Sequence, residues 1–177
     1  MGEICQDLVS EIPKMKDLAK KAAQSGVEYG AVITSDWKLG NEVKGSERQI
    51  TIPHVGDSKG TFHTHRIESH PSTVDLWEMT AHQEEVMCIG TARMALPELQ
   101  CFYPQKREDF HALGQAVHLL EDRKRDYLQK LEGRYGKAEA RTPEEKAEGL
   151  AQLRSVQQVK EIIEKRWPEV ISACALK

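Results

Sequence analysis

The chain has 177 residues, 39% hydrophobic and 30% charged, with 25 Lys+Arg against 28 Asp+Glu for a formal net charge of −3. That length and mixture suit one globular unit, or one with a modest appendage, able to bury a core without cross-links. There is no broad basic field to hold nucleic acid or an anionic membrane, so neither is expected as a partner. No apolar run approaches the roughly 20 residues of a membrane helix. Met1–Asp7 lack a basic stretch followed by an apolar one, so no secretory signal is expected. The cysteines Cys5, Cys88, Cys101 and Cys174 are scattered, without a Cys-x-x-Cys pair, and are predicted to be buried thiols of a cytoplasmic protein.

In chain order, Ile4, Leu8, Ile12, Met15, Leu18, Ala19 and Ala22 recur at three and four, predicting a helix that Pro13 kinks or splits. Ser25-Gly26 stops it, and the β-branched run Val27–Thr34 predicts a strand. Residues 35–49 read as a loop or an irregular hairpin, in which Trp37 is either a substrate anchor or a core residue. Gln49–Ile52 is predicted as a second strand and Thr61–His65 as a third. Ser72 is an expected N-cap, with Asp75 three residues on, for a helix to about Gln83. Val86–Gly90 and Leu99–Tyr103 read as two more strands.

After Pro104 the pattern becomes helical. Phe110, Leu113, Val117, Leu120, Tyr127 and Leu131 form a coiled-coil-like seam that Gly133 and Gly136 end. Thr142-Pro143-Glu144-Glu145 starts a second helix carrying Leu150, Leu153, Val156, Val159, Ile163 and Trp167, its end disturbed by Pro168. The expected organisation is an α/β body over residues 1–105 and a C-terminal helical hairpin over 106–177. The hairpin packs on the body or pairs with another copy as a homodimer.

The chemistry concentrates in His63-Thr64-His65 and Pro71-Ser72-Thr73-Val74-Asp75. Residues two apart in a strand share a face, so both imidazoles can aim at one point, and the following loop can return Asp75 to it. Two histidines and one carboxylate with an open fourth position make a catalytic rather than a structural zinc set. Such a zinc lowers the pKa of its water from about 15.7 to about 7, and the chemistry still needs a proton carrier. Glu28, at the start of an apolar strand, is the candidate, with Glu42 the alternative. Ser72 can supply a hydroxyl to an oxyanion. His70 is an extra ligand or a loop residue, Arg66 and Glu68 are substrate contacts or solvated, and His54, His82, His111 and His118 are expected at the surface or in packing.

Together, Glu28-Tyr29-Gly30-Ala31-Val32-Ile33, His63-x-His65 and Pro71-Ser72-x-x-Asp75 resemble the JAMM (MPN-plus, JAB-domain) zinc metalloprotease family, of prokaryotic type because the Thr91–Glu98 connection is short. The resemblance spans about residues 5–104. It implies a three-layer, cytidine-deaminase-like JAB/MPN fold with a mixed sheet, Zn2+ on His63, His65 and Asp75, Glu28 as general acid/base and Ser72 at the oxyanion. It further implies hydrolysis of the bond after the C-terminus of a ubiquitin-like, sulfur-carrier-type protein. Two features depart from the family: Arg66 stands where proline is usual, and the stretch 66–74 is one residue tighter than the usual spacing.

The motifs of zinc deaminases, His-Glu-x-x-His peptidases and Gly-x-Ser-x-Gly hydrolases are absent from the sequence. The alternatives that remain are a non-catalytic scaffold or dimerisation module, and a zinc hydrolase of small amides or peptides.

Overall fold

The computed structural model describes residues 3–47, 49–91, 97–134 and 142–177. The expected first helix is divided: α1 (Glu3–Asp7) leads through a short 3-10 turn (Val9–Glu11) into α2 (Ile12–Ser25). Pro13 sits in the first turn of α2, where its missing N–H costs nothing, so it starts a helix instead of bending one. Gly26 closes α2 at φ 71°, a left-handed conformation natural to glycine.

Strands β1 (Tyr29–Ile33), β2 (Val43–Lys44), β3 (Gly60–His65), β4 (Val86–Thr91), β5 (Leu99–Pro104) and β6 (Ile171–Leu176) form one six-stranded sheet in the order β2-β1-β3-β4-β5-β6. Only β3 and β4 run parallel, and α3 (Thr73–Ala81) makes the crossover between them. Helices α4 (Arg107–Arg134) and α5 (Pro143–Val170) follow, and α5 runs straight into β6. The architecture is therefore α/β with a mixed sheet. Among the described residues no helix is long and apolar enough to cross a membrane.

Period-two alternation sorts the strand residues onto two cores. Ala31, Ile33, Phe62, Cys88 and Cys101 face α1 and α2, packing on Leu8, Met15 and Leu18. Met87, Ile89 and Phe102 face the other side, under Leu76 and Met79 of α3, Leu113, Val117 and Leu120 of α4, and Ile163 of α5. Trp37 packs against the first core, with Lys59 Nζ 5.5 Å from its ring centroid.

Three expectations are corrected. Gln49–Ile52 is not a strand; Ile50 and Ile52 instead lie over Gly30, where an added Cβ would come within 2.7 Å of Ile52 Cδ1 and of the Phe62 carbonyl oxygen. The β2 strand gives residues 35–49 the irregular-hairpin form of the two expected, pairing antiparallel with β1. Pro168 does not disturb α5, which continues to Val170, and β6 after it was not anticipated. Finally, the cysteines are bonded rather than free, as Cys5–Cys174 and Cys88–Cys101. Their scatter in sequence hides a spatial row: Cys88 faces Cys101 across β4–β5, and Cys101 faces Cys174 across β5–β6. Such bonds persist in an oxidising environment and stand as thiols in a reducing one. Gly136 lies outside the described residues, as does the side chain of Leu131.

Candidate metal centre

The β3 strand fixes the two histidines. Phe62 is fully buried in the first core, which by alternation turns Thr61, His63 and His65 to the α3 face. His63 is buried and His65 lies at the strand end, partly open. Ser72 then caps α3: its hydroxyl accepts from the Asp75 N–H at 3.2 Å, and its own N–H donates to Asp75 Oδ2 at 2.6 Å. This reciprocal capping box pins the carboxylate beside the β3 histidines. The Ser72 hydroxyl also donates to Asp75 Oδ2 at 2.6 Å.

The three side chains meet in a small triangle. His63 Nε2 lies 3.0 Å from His65 Nε2 and 3.1 Å from Asp75 Oδ1, and His65 Nε2 is 3.2 Å from Asp75 Oδ2. Bonds of about 2.0–2.1 Å to a tetrahedral ion set its ligand atoms about 3.3 Å apart; the two imidazole nitrogens stand near that separation, each beside a different oxygen of Asp75. His65 Nδ1 lies 3.1 Å from the Glu68 carbonyl oxygen, which can only accept, so Nδ1 carries a hydrogen and, when the ring is neutral, Nε2 is the nitrogen with the lone pair. Glu68 thus acts on the site through its backbone. His63, His65 and Asp75 could hold a metal ion.

Electrostatics bind the group further. Burial pushes the Asp75 carboxyl up, but the His63 and His65 imidazoles outweigh it and leave Asp75 well below the usual carboxylate range. Burial lowers His65, and its hydrogen bond and charge attraction to Asp75 more than restore it, leaving it raised.

Glu28 faces the same group. Gly30 pairs with His63, and extending that register by two residues sets Glu28 beside His65, on the same face as the two imidazoles. Partial burial raises its carboxyl above the ordinary value, against the pull of His63 and His65 and with the push of Asp75. Its backbone is fixed by Ser46 and Gly45, Glu28 N–H donating to the Ser46 carbonyl and Gly45 N–H to its own. Glu42, the alternative, is exposed and pairs with Lys21 Nζ at 2.7 Å. Arg66 is exposed, and His70 stands 6.1 Å from the Trp167 ring of α5, between centroids.

Two of the histidines expected at the surface or in packing, His54 and His82, belong to a second cluster. His54 and His82 stack with ring centroids 3.5 Å apart, beside Glu78 and the buried Glu84. Burial and the neighbouring His82 hold His54 below its ordinary pKa. Burial pushes Glu84 up to about 8, against the hydrogen bond that Thr61 donates to it. The only sequence sign is the stripe Asp75-Glu78-His82 at helical spacing. A separate cavity of about 920 Å³ opens between α3 and α4, lined by Trp77, Thr80, Phe110, Gly114 and His118 among others.

No protein-family model matches this chain, and no curated protein or solved structure matches it.

Proposed function

We propose that the chain is a zinc-dependent isopeptidase or peptidase of the JAMM type, cleaving after the C-terminus of a ubiquitin-like protein. The observation that carries the reading is the 3.0–3.2 Å triangle of His63, His65 and Asp75 with Glu28 turned to the same face. His63, His65 and Asp75 would hold the ion, His65 steered by the Glu68 carbonyl and Asp75 by Ser72. Zinc, when bound there, supplies Lewis-acid polarisation of a carbonyl and a more acidic water. Glu28 takes a proton from the attacking water and returns it to the leaving amine, a role its raised pKa suits. The Ser72 hydroxyl would serve the developing oxyanion, and its hydrogen bond to Asp75 must be exchanged for that one.

The substrate's extended tail would be positioned by backbone hydrogen bonds. Strand β3 is paired on both sides, by β1 and β4, so the tail cannot add there. The open sheet edge nearest Glu28 is β2, whose Lys44 pairs with Tyr29.

The test is zinc quantification with a hydrolysis assay on a ubiquitin-like fusion. The native chain should cleave and lose activity to a chelator. Glu28→Gln should keep zinc and lose about 10²–10⁴-fold in rate, and His65→Ala should lose both. A zinc-loaded chain that cleaves no such fusion, or Glu28→Gln at full rate, would overturn the reading. A second reading makes the helical pair the working surface of a self-associating scaffold. It draws on Leu119, Leu150, Leu153 and Ile162, which are about half exposed on α4 and α5. Light scattering separates the two.

A further inference from the structure

The stripe of α3 that presents Asp75 continues past it. Glu78 and His82 stand three and seven residues on, the same helical face, and His54 reaches them from the loop before β3. Glu78 Oε2 lies 3.2 Å from His82 Nε2 and 3.7 Å from His54 Nε2, while His54 Nδ1 is turned toward Glu84 Oε1 at 3.5 Å. Three ligand-type atoms therefore sit together as a group able to hold an ion, distinct from the His63 group.

The fourth residue argues for a ligand. Glu84 is 5% exposed, and among the described residues its ion-pair partner is His54. A buried carboxyl group 3.5 Å behind one imidazole nitrogen can orient a metal-bound histidine once it ionises. His54 Nε2 and His82 Nε2 both face the same Glu78 carboxylate oxygen, at 3.7 and 3.2 Å, so two ring nitrogens and one carboxylate share a single point. A shared cation can take the place of the protons that hold them there. The His54–His82 stack, 14° from parallel, brings the rings together but leaves their lone pairs side by side, so the exposed His82 ring must splay to converge on an ion. Two imidazoles and one carboxylate without thiolate select a borderline ion such as zinc over magnesium or calcium.

We propose that His54, Glu78 and His82 form a second divalent-metal site of the zinc class, with Glu84 orienting His54. It fastens the 49–59 loop to the C-terminal end of the helix whose N-terminal end carries Asp75.

The experiment loads the untagged, metal-stripped full chain with zinc chloride, passes it through gel filtration and counts zinc per chain. Two ions are expected in the native chain, one in His82→Ala, one in His65→Ala and none in the double variant. Zinc should raise the melting temperature of His65→Ala but not of the double variant. Glu84→Gln should weaken the second ion about 10–100-fold and leave the first. His82 and Glu78 are exposed, so His82→Ala and Glu78→Gln should fold, which circular dichroism checks. A native chain holding one ion that His65→Ala removes, or a His82→Ala chain still holding two, would overturn the proposal. An ion that His65→Ala keeps and His82→Ala loses supports it even if the chain hydrolyses nothing.

Discussion

A serine at the head of a helix is common enough to pass as a cap, and Ser72 is one. Here the residue it caps with is also a candidate ligand, so the capping box and the site share Asp75. Ser72→Ala removes the side-chain cap, which costs about 1 kcal/mol of stability. It also frees Asp75 Oδ2 from the hydroxyl, and loss of such a supporting contact lowers metal affinity by about 10–100-fold. Thermal melting and zinc titration read the two effects separately. Ser72→Thr keeps the hydroxyl and should restore most of both. Gly30 shows the opposite constraint: opposite His63, the space a side chain would fill is taken by Ile50 and Ile52.

At the scale of the element, α3 is the organising helix. Its N-terminal end presents Asp75 and its C-terminal end presents His82, and Gln83, at φ 51°, then turns the chain so that Glu84 points inward. Glu84 N–H donates to the Met79 carbonyl, closing the helix end. Burying this carboxyl beside Thr61 raises it from an ordinary value of 4.5 to about 8. An acid whose folded pKa is raised binds its proton more tightly when folded. The metal-free fold is therefore favoured below about pH 4.5, loses stability as pH rises toward about 8, and is level above that. The expected loss is a few kcal/mol. Urea melts of the metal-free chain at both ends of that window should show it, and Glu84→Gln should flatten the difference. An equal slope in the variant would assign the effect to other groups.

For the whole molecule, β6 closes the structure. The 28-residue helix α5 delivers Ile171–Leu176 to pair along the full length of β5, and Cys174 then bonds to Cys5 of α1, 169 residues away in sequence. A bond closing so long a loop restricts the unfolded chain more than one closing 13 residues, as Cys88–Cys101 does. Breaking Cys5–Cys174 should cost about 5 kcal/mol on the chain-entropy model, and Cys88–Cys101 about 3. Cys174→Ala should therefore melt lower than Cys101→Ala in the absence of reductant. With reductant present, the native chain should lose its advantage over Cys174→Ala.

Much of this was legible in the residues themselves. The helices at 12–25, 73–81 and 143–170 follow from apolar spacing and caps, and the strands at 60–65, 86–91 and 99–104 from short β-branched runs, because those signals are local. His63, His65 and Asp75 could be grouped because a strand's period of two and a helix's first turn fix where side chains point. Contacts between distant segments were not legible. Gln49–Ile52 has strand chemistry, yet it covers Gly30 because β2 occupies the sheet edge there. Ile171–Leu176 is a strand only because β5 offers it an edge; Cys88 meets Cys101 through the β4–β5 register, and Cys174 meets Cys5 because α1 packs against β6. His54 gains its neighbours because a loop folds onto the far end of α3. Local pattern sets what each segment can be, while burial against a partner, absent from any single stretch of sequence, selects among those possibilities.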